Sequence, residues 1–289
     1  MDIECVWPAG ALLGEAPFWH ACEKALYWVD VDGKSILRWA PDSGAMERAM
    51  IDHEIGCIVP RQDGGFIAGI DSGLAFIGAD LTSLEIFASP EAALANTRFN
   101  DGKCDQRGRF WVGSTDRREV EPLGALYKVD STGRVSKMLA GVTVSNGLGW
   151  SPDGKIMYFT DSGTSTIYKF DFDLESGSIN GRRCFAVADQ KDGIPDGLAV
   201  DADGFVWSAC WGGWQVKRYD PDGKLAQVLK LPVPLITSLA FGGAALDMLC
   251  ITTARLGLSE AQLREAPLSG GLFVAQVDVP GMPVSAYQG

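Results

Sequence analysis

Asp196, Glu15, Asn100 and Asn146 occupy equivalent places in a chain of 289 residues. Each lies eight residues before a turn position, Gly204, Glu23, Gly108 and Gly154 respectively, that follows a short strand-like segment. The same count from Gly64 gives Gly56 in a second unit, and alignment on Phe241 gives Thr237 in a sixth. Two carboxylates and two carboxamides gathered at one point would repel one another unless something positive lay between them. Asp, Glu and Asn oxygens suit hard divalent cations, so the constellation predicts a metal site with open positions for water and substrate. Asp196 lies within Pro195-Asp196-Gly197, a tripeptide that recurs at 152–154 and 221–223. Pro-Asp-Gly by itself is ordinary turn chemistry. Only register separates Asp196 from Asp153 and Asp222, which fall in outer turns.

That register exists because the sequence repeats. Six segments rich in aromatic and β-branched residues are marked by Tyr27, Phe66, Phe110, Met157, Phe205 and Met248, at spacings of 39, 44, 47, 48 and 43 residues. A second alternating strand follows each one. Short strands between Asp-Gly-type turns, in units of about 45 residues, predict an all-β fold, a six-bladed β-propeller with four-stranded blades around a central channel that holds a metal. The innermost strand comes first in each unit, which brings the equivalent positions together at one mouth of the channel. No linker or composition shift interrupts 1–289, which reads as a single domain. The one good helix signal is "LSEAQLREAP" at 258–267, with Ser259 as its N-cap.

A net charge of −12 argues against nucleic acid and against an anionic membrane surface as partners. No apolar run approaches the ~20 residues of a membrane helix, and "MDIECVWPAG" lacks the pattern of a signal peptide. The seven Cys are scattered without a C-x-x-C pair and read as buried filler, so a cytoplasmic location is expected. With only His20 and His53, a three-His zinc site is impossible; no G-x-S-x-G motif suggests a serine nucleophile.

Five stretches carry a closer likeness: "GEAPFW" (14–19), "RFNDGKCDQRGRFWVGS" (98–114), "SNGLGWSPDGKIMYFTDS" (145–162), "IPDGLAVDADGFVWSAC" (194–210) and the terminal "FGG...TTAR...GG". In this order they resemble the regucalcin (senescence marker protein), gluconolactonase and luciferin-regenerating enzyme family, over essentially the whole chain. The resemblance implies a six-bladed propeller that binds a metal through Glu15, Asn146 and Asp196 and hydrolyses a sugar lactone to the aldonic acid. It further implies substrate contacts from Arg98, Asn100 and Asp101. One departure concerns a substrate-contacting Glu in the loop that reads "STDRREVEP" here: an ungapped match places Arg118 at that position, with Glu119 beside it.

The chemistry expected is metal-assisted ester hydrolysis, with Asp196 as proton acceptor for the attacking water. Calcium, zinc, manganese, magnesium and iron(II) all remain open, as does Asn100 as a ligand in place of a substrate contact. A calcium-binding regulatory protein, or a metal-dependent esterase or phosphotriesterase, would use the same site. The small-molecule lactone is the expected partner, for a monomer or weak homo-oligomer. Trp211 and Trp214, in "WGGW", read as packing residues.

Overall fold

Alternating apolar residues and Asp-Gly turns give twenty-four strands in six four-stranded antiparallel sheets, in a computed structural model that describes residues 2–289. The sheets are the blades of a β-propeller. Five of them run outward in chain order from their inner strands, Gly14–His20, Ile55–Pro60, Thr97–Cys104, Ser145–Trp150 and Ile194–Val200. The sixth is assembled from both ends of the sequence: Ile236–Gly242, Met248–Thr253 and Leu272–Gln276 are completed by the N-terminal strand Ile3–Trp7. Ile3 pairs with Ala275 and Cys5 with Phe273, so hydrogen bonds close the ring. Nothing in the spacing of the first residues signalled that closure.

The turns behave as their composition dictates. Gly108, Gly154 and Gly204 take φ of 67°, 66° and 83°, the left-handed region that glycine enters freely. Packing between the blades is aromatic, with Trp28, Trp111, Tyr127 and Phe110 among the largest fully buried side chains. Ser259 caps the helix Glu260–Glu265 through a capping box with Gln262. Among the described residues no helix is long and apolar enough to cross a membrane. The cysteines are less uniform than expected: Cys57, Cys104, Cys210 and Cys250 are buried, Cys5 is partly so, and Cys22 and Cys184 are exposed.

All six inner strands share one irregularity. Pairing with the second strand slips by one residue between Glu15 and Phe18, Ile55 and Cys57, Phe99 and Gly102, Ser145 and Leu148, Pro195 and Leu198, and Ile236 and Ser238. These are β-bulges, and a bulge re-aims the side chains it carries. Glu15, Gly56, Asn100, Asn146, Asp196 and Thr237 stand in or at the edge of these bulges, so the register deduced from the turns is the register of the bulges. The opposite end of the channel is crossed by the C-terminal segment. Ala202 N–H donates to Pro280 O, Gln62 N–H to Tyr287 O and Gln288 N–H to Gly108 O, at 2.8, 2.9 and 3.1 Å.

Candidate active site

At the other mouth, the starts of the inner strands and the loops after the second strands surround a cavity of ≈ 520 Å³. Glu15, Arg98, Asn100, Glu119, Asn146 and Asp196 all line it. Asp101 does not. It faces a smaller cavity of ≈ 100 Å³ within the channel, where its Oδ1 accepts from Gly102 N–H at 2.8 Å. The bulge turns successive residues to different sides, which separates Asp101 from Asn100. Asp153 and Asp222 are exposed turn residues, as their register requires.

Glu15, Asn100, Asn146 and Asp196 are all buried. A relay of amides joins three of the blades: Arg98 Nη1 donates to Asn100 Oδ1 at 2.7 Å, and Asn100 Nδ2 to Asn146 Oδ1 at 3.0 Å and Ser145 O at 2.8 Å. Asn146 Nδ2 donates to Ser162 Oγ at 2.9 Å, and Ser162 Oγ in turn to Pro195 O at 2.6 Å, the carbonyl just before Asp196. Both ends of the Asn100 carboxamide are therefore engaged, and its amide nitrogen orients Asn146. Ser162 escaped sequence reasoning, although it closes the stretch "SNGLGWSPDGKIMYFTDS". Its only signal is a hydroxyl placed just after the second strand of the blade that carries Asn146.

The carboxylates are not compensated in this way. Glu15 Oε2 accepts from Ala16 N–H at 2.9 Å, while Asp196 Oδ1 is buried with no hydrogen-bond partner. Burial and the charge of Asp101 push the Glu15 carboxyl up to about 8, against the Ala16 N–H and Arg98, which pull it down. Burial, then the charges of Glu15, Asp101 and Glu119, raise the Asp196 carboxyl well above the usual range. Among the described residues no three Asp, Glu, His or Cys side chains converge. The donor set is instead two carboxylates and the Asn146 carbonyl oxygen, with an orphaned oxygen on Asp196. Hard oxygen donors whose charges lack a protein counterion fit a divalent cation.

This predicts how the metal-free protein responds to pH. Between the ordinary glutamate value of 4.5 and about 8 the folded state retains a proton on Glu15 that the unfolded state has released. Stability must therefore fall as pH rises through that window. A divalent cation held there would displace the proton, so its affinity should rise, and the loss should be reversed, over the same range. Denaturant titrations across the window, with chelator and with added cation, check both signs; a metal-free stability that climbs with pH contradicts them.

The loop after the third blade's second strand places Glu119 and Arg118 differently. A left-handed Glu119, at φ 59°, carries that residue into the cavity lining, while Arg118 stays exposed near Asp116. Trp211 and Trp214 do not pack in the core. Trp211 ends the second strand of the fifth blade, paired with Ile194, and is half-buried in the cavity wall, while Trp214, beyond the Gly212-Gly213 turn, is exposed.

The sequence matches the model of the SMP-30/Gluconolactonase/LRE-like region over residues 13–255. It is 36% identical to regucalcin from Oryctolagus cuniculus over 297 aligned positions, covering 100% of this chain and 99% of that one. Among solved structures, a luciferin-regenerating enzyme superposes with a TM-score of 0.92 at 28% identity, over 99% of both chains. A regucalcin from Agrobacterium tumefaciens strain C58, described as a calcium-binding protein, superposes with a TM-score of 0.93 at 26% identity, over 98% of this chain and 96% of that one.

Proposed function

The chain belongs to the SMP-30/Gluconolactonase/LRE-like family, and on that premise we propose that it is a metal-dependent lactonase that opens a five- or six-carbon sugar lactone to the aldonic acid. The observation that carries the reading is the orphaned, buried Asp196 Oδ1 beside Glu15 and Asn146 in a cavity lined by polar side chains. Glu15, Asn146 and Asp196 would hold the cation. Bound there, a divalent cation supplies Lewis-acid polarisation of an ester carbonyl and lowers the pKa of water.

The side chains of the chain itself do the rest. Asp196 takes the proton of the attacking water and returns it to the ring oxygen that leaves, so one carboxylate serves as base and then as acid. The Arg98 guanidinium and the Glu119 carboxylate bind substrate hydroxyls from the third blade. Asn100, fixed at both ends, keeps Asn146 oriented and aims Arg98. No covalent nucleophile is required, since a strained cyclic ester needs only an activated water. The all-oxygen donor set makes calcium the first cation to test, in keeping with the description of the Agrobacterium relative.

A panel of aldonolactones incubated with cation-loaded protein tests the reading. Ring opening well above the buffer rate is expected for at least one five- or six-carbon member. Rates equal to buffer across the panel overturn the proposal.

A further inference from the structure

We propose that the Glu54–Arg117 pair determines which lactones are accepted, by binding the hydroxyls of the chain that hangs from the lactone ring; the inference rests on the lactonase reading above. The cavity has two unlike walls. Over the first three blades it is charged, with Asp32, Glu54, Arg98, Arg117 and Glu119. Over the fifth and sixth, away from Asp196 and Gln190, it is apolar, with Ile194, Pro195, Trp211 and Leu256. A sugar lactone has the same asymmetry, with a carbon face that stacks on an aromatic wall and hydroxyls that need polar partners.

The ring of bulge positions says where the hydroxyls go. The fourth and fifth blades supply Asn146 and Asp196 to the axial point, and the first supplies Glu15. The sixth offers nothing there, because the Thr237 hydroxyl is turned to Gly14 O. The second blade has Gly56, where a Cβ would stand 2.5 Å from the carbonyl oxygens of both Phe99 and Asn100, so no side chain fits. The third blade's backbone fills that place, so the second blade sends no side chain to the axial point, and Glu54, two residues before Gly56, is what it contributes to the cavity lining.

Glu54 Oε2 accepts from Arg117 Nη1 at 2.9 Å, and the Arg117 backbone N–H donates to Asn96 O at 2.8 Å. The two side chains keep 31% and 37% of their surface exposed, enough to meet a ligand. A carboxylate beside a guanidinium offers an acceptor and a donor together, which is what a hydroxyl needs. Neighbouring hydroxyls on an exocyclic chain use both.

The test is a series of five-membered aldonolactones with no, one or two exocyclic carbons, assayed with wild type, Glu54→Gln and Arg117→Met. The wild type should favour the longest chain. In Glu54→Gln the kcat/KM ratio of the longest to the bare ring should fall about tenfold, with the bare-ring lactone unchanged. A common loss for all three lactones marks a structural role and overturns the proposal, as does an unaltered ratio. Calorimetric titration with the matching anhydroalditols, which lack the carbonyl and cannot be hydrolysed, separates the subsite from the reaction. A wild type that opens no lactone yet prefers the long anhydroalditol through Glu54 removes the lactonase reading and keeps the subsite. Equal binding of long and short anhydroalditols by wild type and Glu54→Gln overturns the subsite whatever the catalysis.

Discussion

Asp196→Ala is expected to lose divalent-cation binding and lactone hydrolysis together, while the metal-free protein becomes more stable. The functional loss follows from removing a ligand and the proposed proton acceptor at once, worth at least 10²–10⁴ in rate from the acid-base role alone. The gain in stability follows from the environment. Asp196 Oδ1 is buried without a partner, and Glu15, Asp101 and Glu119 all disfavour its charge. Removing an unsatisfied buried polar group relieves about 1–3 kcal/mol, less whatever the small cavity costs. Opposite signs in function and stability are the mark of a site built for a ligand. Asp153→Ala is the control: Asp153 is an exposed turn residue bonded to Ser151 Oγ at 2.7 Å, so cation binding and turnover should survive. Thermal melts with chelator, alongside cation titration and assay, check the pair. Equal functional loss in both variants, or a destabilised metal-free Asp196→Ala, contradicts the account.

Asp201→Ala should do the reverse. Asp201 lies five residues after Asp196, just past the far end of the strand Ile194–Val200, fully buried. Its Oδ2 accepts from Trp207 Nε1 at 2.9 Å and from Arg218 Nε and Nη2 at 2.9 and 2.6 Å; its Oδ1 accepts from Asp203 and Phe205 N–H at 3.1 and 2.9 Å. The third blade repeats the device, with Asp105 accepting from Arg109 Nε at 2.7 Å and Trp111 Nε1 at 2.9 Å. Truncating Asp201 leaves a guanidinium and an indole N–H without their acceptor, a loss of about 3–5 kcal/mol. For a chain of this length that lowers Tm by roughly 10 °C. Protein that remains folded should bind cation and turn over as the wild type does. A melting temperature within about 2 °C of wild type would show that the buried network is not what holds the turn.

The placement of Asp196 was legible because turn residues constrain register. Asp-Gly pairs such as Asp203-Gly204 mark hairpins, and a fixed count back from each lands on the bulge of the inner strand. The bulge itself left no sequence signal, so the same count could not tell that Asn100 faces the cavity while its neighbour Asp101 turns into the channel. The ring closure was hidden for another reason: the pairing of Ile3 with Ala275 spans nearly the whole chain and involves no local turn. Glu119 depends on loop conformation: its left-handed backbone decides that it, and not Arg118, reaches the cavity, and strand periodicity does not set that.

Stoichiometric restoration of activity tests the central claim most directly. Protein stripped with chelator, then titrated with a divalent cation, should regain lactone hydrolysis in step with the binding of one ion per chain, and Glu15→Gln should shift that titration to much higher concentration. Full hydrolysis by the stripped protein, or restoration that ignores Glu15, would contradict it.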